Sequence, residues 1–151
     1  MNIETTLIDH RNASPQLADF FMQQLIPLYQ KYWDEQLKSL YDEPFNLQFQ
    51  TLINMWLGGV IKIFTVRDDL ELVGFATALV YRPVTYNNLV FQIQDFYCPN
   101  DVARTNLMTY LLDTVKILDC TEIQSPVALD LVGHYWHEMP DLPRKRYRFR
   151  S

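Results

Sequence analysis

Apolar side chains recur at three- and four-residue spacing from Leu17 through Phe20, Phe21, Leu25, Leu28 and Tyr29 to Tyr32. That spacing lines one face of a helix. Ser14 followed by Pro15 supplies an N-cap and a first-turn proline, and Pro27 predicts a kink or break. Glu35 to Leu40 extends the pattern. Pro44 opens a second helical pattern through Phe45, Leu47, Phe49, Leu52, Ile53, Trp56 and Leu57, which Gly58-Gly59 ends. Period-two patterns follow. Residues 60–66, 71–81 and 89–98 read as strands, with turns at Asp68-Asp69 and Tyr86-Asn87-Asn88. Strict alternation in the third puts Gln92 and Gln94 on one face and Phe91, Ile93 and Asp95 on the other.

Leu107, Met108, Leu111, Leu112, Val115 and Leu118 pattern a helix at 102–119. Residues 3–9 predict a first strand and residues 125–132 one after that helix. Residues 131–139 predict a short helix or turn, and 145–150 a last strand. The order is strand, two helices, three hairpin strands, helix, strand, short helix, strand. It predicts a single α/β (α+β) domain over 1–151, with a mixed, mostly antiparallel sheet, flanking helices and a parallel crossover through 102–119.

Composition narrows the function. A chain of 151 residues is about one domain. The last eight residues hold five of the thirteen Lys and Arg, so residues 1–143 carry eight bases against eighteen acids. A body this acidic disfavours nucleic acid, even though Arg146, Arg148 and Arg150 alternate with Tyr147 and Phe149. Those arginines are expected to guard a sheet edge. Cys98 and Cys120 make no disulfide framework and no zinc set, and His134 with His137 lacks further ligands. No apolar run reaches the roughly 18–20 residues that span a bilayer, and the first ten residues do not read as a signal peptide. A cytoplasmic protein with reduced thiols and no metal is expected.

Three consecutive stretches, LVGFATALVYRP, LVFQIQDFYCPND and VARTNLMTYLLDTVKIL, are similar to the centre of the GNAT family of N-acetyltransferases. VGF resembles the family's central strand, IQDFYCPND the strand that leads to the cofactor turn, and GHYWHEM its late tyrosine-bearing segment. The resemblance covers nearly the whole chain. It implies a GNAT-like acyl-CoA N-acyltransferase fold, acetyl-CoA as acyl donor, and an amine acceptor that is a small molecule or a protein. The family's turn carries Arg/Gln-x-x-Gly-x-Gly/Ala, whose glycines let backbone amides approach the CoA pyrophosphate. Here that turn has no glycine. Matching Leu111-Leu112 to the family's paired leucines puts Ala103 at the basic position and Asn106 and Met108 at the small ones. Sliding by one residue brings in Arg104, Leu107 and Thr109.

Under the resemblance, Asp95 takes the amine proton and Tyr135 returns one to the departing thiolate. The main chain of Phe96, Tyr97 and Cys98, and of Arg104, Thr105, Asn106, Leu107 and Met108, holds the cofactor. The competing readings are a hydrogen-bonded strand residue for Asp95 and an aromatic packing residue for Tyr135. For the helix start, the competing reading is a cap supplied by Asp101. Tyr29, Tyr32 and Trp33 either pack in the core or wall a groove. Two functions stay open: an acyltransferase with an atypical CoA loop, or an inactive GNAT-like binding or structural protein that works through a protein partner. The degenerate loop is similar to acetyltransferase-like proteins of tailed bacteriophages, which implies the host cytoplasm or the virion. Homodimerisation stays open as well.

Overall fold

The computed structural model describes residues 2–41 and 43–125. Five strands form one sheet in sequence order: β1 (Ile3–Ile8), β2 (Ile61–Asp68), β3 (Glu71–Tyr81), β4 (Val90–Tyr97) and β5 (Glu122–Gln124). The first three pairings are antiparallel, and β4 pairs with β5 in parallel. Helix α4 (Asp101–Ile117) makes the crossover that a parallel pair requires. The strand after α4 therefore begins earlier than the expected 125–132. Residues 126–132, the short element at 131–139 with Tyr135, His134 and His137, and the strand at 145–150 lie outside the described residues.

Alternation along the strands gives each face of the sheet its own core. On one face Phe64, Val66, Ala76, Ala78, Phe91 and Ile93 meet Ala103, Leu107, Leu111 and Val115 of α4. Short alanine side chains on β3 let the helix lie close. On the other face Ile61, Ile63, Phe75 and Tyr97 meet Phe21, Leu25, Tyr29, Tyr32, Leu52 and Trp56. These come from the turn at Phe21–Leu25 that follows α1 (Pro15–Phe20), from α2 (Ile26–Tyr32) and from α3 (Phe49–Leu57). The Trp56 indole N–H donates to the Ile8 carbonyl at 3.0 Å, tying α3 to the β1 edge.

The Ser14 hydroxyl accepts from the Leu17 amide at 3.3 Å, with Pro15 in the first turn. Pro27 does not break the run. A wide π turn over Phe21–Leu25 precedes it, in which the Ile26 amide reaches back five residues to the Phe21 carbonyl. Slack of this kind admits a residue that has no N–H to give. A second π turn spans Trp33–Leu37, and Lys38–Leu40 closes the run as a 3₁₀ turn. Helix α3 starts later than Pro44, at Phe49, so Phe45 and Leu47 sit in irregular chain before it. It ends where expected: Gly59 takes φ +72°, a conformation glycine adopts without strain.

Candidate active site

The site begins with one extra residue in β4. Thr77 pairs with Asp95 and Ala78 with Ile93, so Gln94 has no partner of its own on β3. This is a β-bulge, which restarts the side-chain alternation. Phe91 and Ile93 face α4, whereas Asp95 faces α2 together with Tyr97. Strict alternation had placed Asp95 with Phe91 and Ile93; the bulge turns it to the opposite face.

There the half-buried Asp95 carboxylate accepts from the Thr77 hydroxyl at 2.8 Å and from the Tyr29 hydroxyl at 3.2 Å, both on Oδ2. Burial pushes its pKa up from the ordinary carboxylate value, and the hydroxyls of Thr77, Tyr29 and Tyr32 offset part of that rise. Burial beside this carboxylate also drives Tyr29 well above the ordinary phenol value and Tyr32 to about 12. Both tyrosines are neutral donors at any working pH. Asp95 forms the floor of a cleft of about 550 Å³, walled by α2, the second π turn and the chain before α3. Tyr29, Tyr32, Trp33, Tyr41 and Phe45 supply aromatic walls.

The sequence leaves Tyr29 and Tyr32 as either core or groove, and they serve as both. Thr77 carries no sequence signal beyond a hydroxyl inside the apolar run of β3. The helical spacing of Phe45 and Leu47 hides their part in the cleft wall.

The residues expected to hold the cofactor lie at the end of β4, where Tyr97 shares the Asp95 face while Phe96 and Cys98 face α4, and along α4. Phe96, Tyr97 and Cys98 are buried, Leu107 is fully buried, and Met108 is half-buried against the α4 core. Arg104, Thr105 and Asn106 are exposed. The Arg104 guanidinium lies 5.4 Å above the Phe96 ring, and the Asn106 side chain accepts from the Thr5 hydroxyl at 2.6 Å. A second groove, of about 640 Å³, passes Val102, Thr105, Asn106, Thr109 and Asp113.

The helix start does not fit a diphosphate. Asn100, rather than Asp101, is the cap: its side chain accepts from the Ala103 amide at 2.9 Å. The Arg104 amide bonds the Asn100 carbonyl, and residues 105–108 continue the helical ladder. Only the amides of Asp101 and Val102 precede these bonds. Pro99 has no N–H, and the Asp101 carboxylate stands in the first turn, where it repels an anion.

Burial raises the Cys98 thiol to about 11 and also raises Cys120. Both thiols are therefore expected to react slowly with Ellman's reagent in the native protein and promptly in guanidinium. Rapid native labelling would contradict their burial.

No protein-family model and no curated protein matches the sequence. Solved structures do match over nearly full length. A ribosomal-protein-alanine N-acetyltransferase from Brucella melitensis biovar Abortus 2308 shares 14% identity, with TM-score 0.70 and 100% of both chains covered. An aminoglycoside acetyltransferase from an uncultured soil metagenomic sample, solved with trehalose, shares 12% identity, with TM-score 0.68 and coverage of 98% and 97%. AAC(6')-Iy in complex with the bisubstrate analog CoA-S-monomethyl-acetylneamine shares 12% identity, with TM-score 0.64 and coverage of 98% and 99%. The fold is the GNAT acetyltransferase fold. No helix among the described residues is long and apolar enough to cross a membrane.

Proposed function

We propose that the chain is an N-acyltransferase that moves an acyl group from a thioester donor of the acetyl-CoA type to an amine bound above Asp95. The single observation behind this reading is the half-buried Asp95 carboxylate, held by Thr77 and Tyr29 on the floor of a cleft beside the β4 bulge. An amine reaches such a cleft as the ammonium ion and must lose a proton before it can attack a carbonyl. A carboxylate whose proton affinity burial has raised is suited to receive that proton, directly or through one water. Tyr29 and Thr77 hold the carboxylate so that little reorganisation accompanies the transfer. The donor supplies an activated carbonyl, and Tyr135 is the proposed source of the proton for its leaving thiolate.

The proposal is tested by following thiol release from acetyl-CoA with a panel of primary amines. Thiol release that needs both the amine and an intact Asp95 supports it. Because the α4 start offers no diphosphate seat, S-acetyl-pantetheine is expected to match acetyl-CoA in kcat/KM to within about tenfold, a gap of about 1.4 kcal/mol. A preference of a hundredfold or more for acetyl-CoA would mean that a diphosphate grip exists after all.

A second reading has its own support in the Asn100 cap and the Asp101 carboxylate, which suit a GNAT-like protein that has lost its donor and keeps only a binding role. Amine binding without turnover from either donor would favour it.

A further inference from the structure

The aromatic cleft and the half-buried Asp95 carboxylate in it point to a narrower ligand than amines in general. We infer that the cleft selects a primary amine with one cationic centre and a flat hydrophobic body, and discriminates against polyhydroxylated polycations. The inference rests on the cleft proposed above as the acceptor site, but not on turnover.

Its chemistry is uneven from floor to rim. At the floor, Asp95 accepts from the Thr77 hydroxyl at 2.8 Å and the Tyr29 hydroxyl at 3.2 Å, with Tyr32 also lining this end of the cleft. One ammonium fits there. It donates a charge-assisted hydrogen bond to the carboxylate. Above the floor the walls are mainly apolar. Trp33 and Tyr41 stack nearly parallel, with centroids 5.8 Å apart and planes 17° from each other. Phe45 meets the same Trp33 ring at 6.1 Å. Leu37, Leu52 and Met55 complete this part of the lining. A planar ring or branched hydrocarbon loses nothing by leaving water against such walls.

A sugar-based polycation would fare differently. Its many hydroxyls would give up water for walls whose polar groups, among them Asn46, Gln48 and Thr51, can answer only some of them, and each one left unanswered is costly. Its further ammonium groups would find little acidic surface, since Asp95 and Glu43 are the only acidic residues among the described residues that line the cleft. The described residues contribute no Lys or Arg to the lining and hence no counter-charge to an anionic ligand. A volume of about 550 Å³ accommodates a bicyclic body with its side chain and excludes nothing of that size.

Calorimetry on the intact chain tests the inference without any donor. The probes are tryptamine, phenethylamine, the neutral 2-phenylethanol, spermidine and kanamycin. Tryptamine and phenethylamine are expected to bind, with 2-phenylethanol at least tenfold weaker than phenethylamine. Spermidine and kanamycin are expected to bind at least tenfold weaker than tryptamine. Trp33→Ala should weaken tryptamine by tenfold or more while leaving the small ammonium ligand methylamine unchanged. Should that variant unfold, Trp33→Leu keeps apolar volume but removes the ring face, and the same loss for tryptamine is expected.

Spermidine or kanamycin binding more tightly than tryptamine, equal binding of phenethylamine and 2-phenylethanol, or no binding of any aromatic amine would each overturn the inference. Failure of the acyltransferase reading looks different. In that case tryptamine binds as described, yet no donor yields an acylated amine. Turnover of kanamycin but not of tryptamine would keep the acyltransferase and remove this specificity.

Discussion

Asp95→Asn is expected to lower kcat/KM for amine acylation by about 10²–10⁴ while leaving the fold as stable as before or more stable. The asparagine carbonyl can still accept from Thr77 and Tyr29, which now meet Oδ2 at 2.8 Å and 3.2 Å. The change removes the charge that takes up a proton and keeps the shape. It also removes a charge that burial disfavours. The sign follows from linkage. Asp95 has its folded pKa raised above the ordinary 3.8, so the folded state holds that proton more tightly than the unfolded chain does. Its contribution to stability is therefore most favourable below the ordinary carboxylate range. It declines as pH rises through the raised value.

Melting temperatures of the two proteins should thus converge at acid pH and separate toward neutrality, with the variant on top. Activity runs the other way. The ionised carboxylate is the working form, so the acid limb of the wild-type rate profile should lie above the range of an ordinary aspartate. A variant that loses activity and also melts far lower at neutral pH would make Asp95 a structural residue only.

Gly74→Ala is expected to destabilise the protein by about 1–3 kcal/mol, as overpacking does in a closed core. A Cβ at Gly74 would stand 2.7 Å from the Cys98 sulfur, 2.8 Å from the Cys98 Cβ and 2.8 Å from the Tyr97 carbonyl oxygen. The last of these is backbone, so no rotamer change relieves it. β3 and β4 would have to part where β4 leads into α4. For a chain of this length a loss of about 2 kcal/mol lowers Tm by about 4–8 °C. Cys98→Ala should not rescue the variant, because the Cβ and the carbonyl oxygen remain. A wild-type Tm for Gly74→Ala would mean that this strand pair yields easily. The glycine in the Val73-Gly74-Phe75 stretch is therefore needed for close approach of β4, a reason local to packing rather than to cofactor chemistry.

Much of the molecule is legible in its sequence. Ser14-Pro15 marks the start of the first helix, and Gly58-Gly59 marks the end of α3. Residues 71–81 form β3 with the bounds that alternation predicts. The signals that failed have identifiable causes. Pro27 predicts a break by its missing N–H, yet the π turn at Phe21–Leu25 absorbs the defect inside a continuing helix. Pro44 looks like a helix opener, but Phe45 and Leu47 lie in irregular chain before α3 and pack against the cluster that holds Tyr29 and Tyr32. Asn100 and Asp101 are both capping residues by type, and only geometry selects Asn100.

By itself the sequence determined the element order as far as β5, the mixed sheet with its crossover, and the absence of glycine from the turn before α4. These are properties of neighbours in the chain: periodicity, caps and turn residues act over a few positions. The tertiary structure alone decided which way Asp95 points and what it meets. The bulge at Gln94 adds one residue to β4 without disturbing the local pattern, and its existence depends on pairing with β3. The Tyr29 hydroxyl reaches Asp95 across 66 residues of chain, and Thr77 across 18. Register and burial set that constellation, and both arise from contacts between distant segments, which a one-dimensional pattern does not contain.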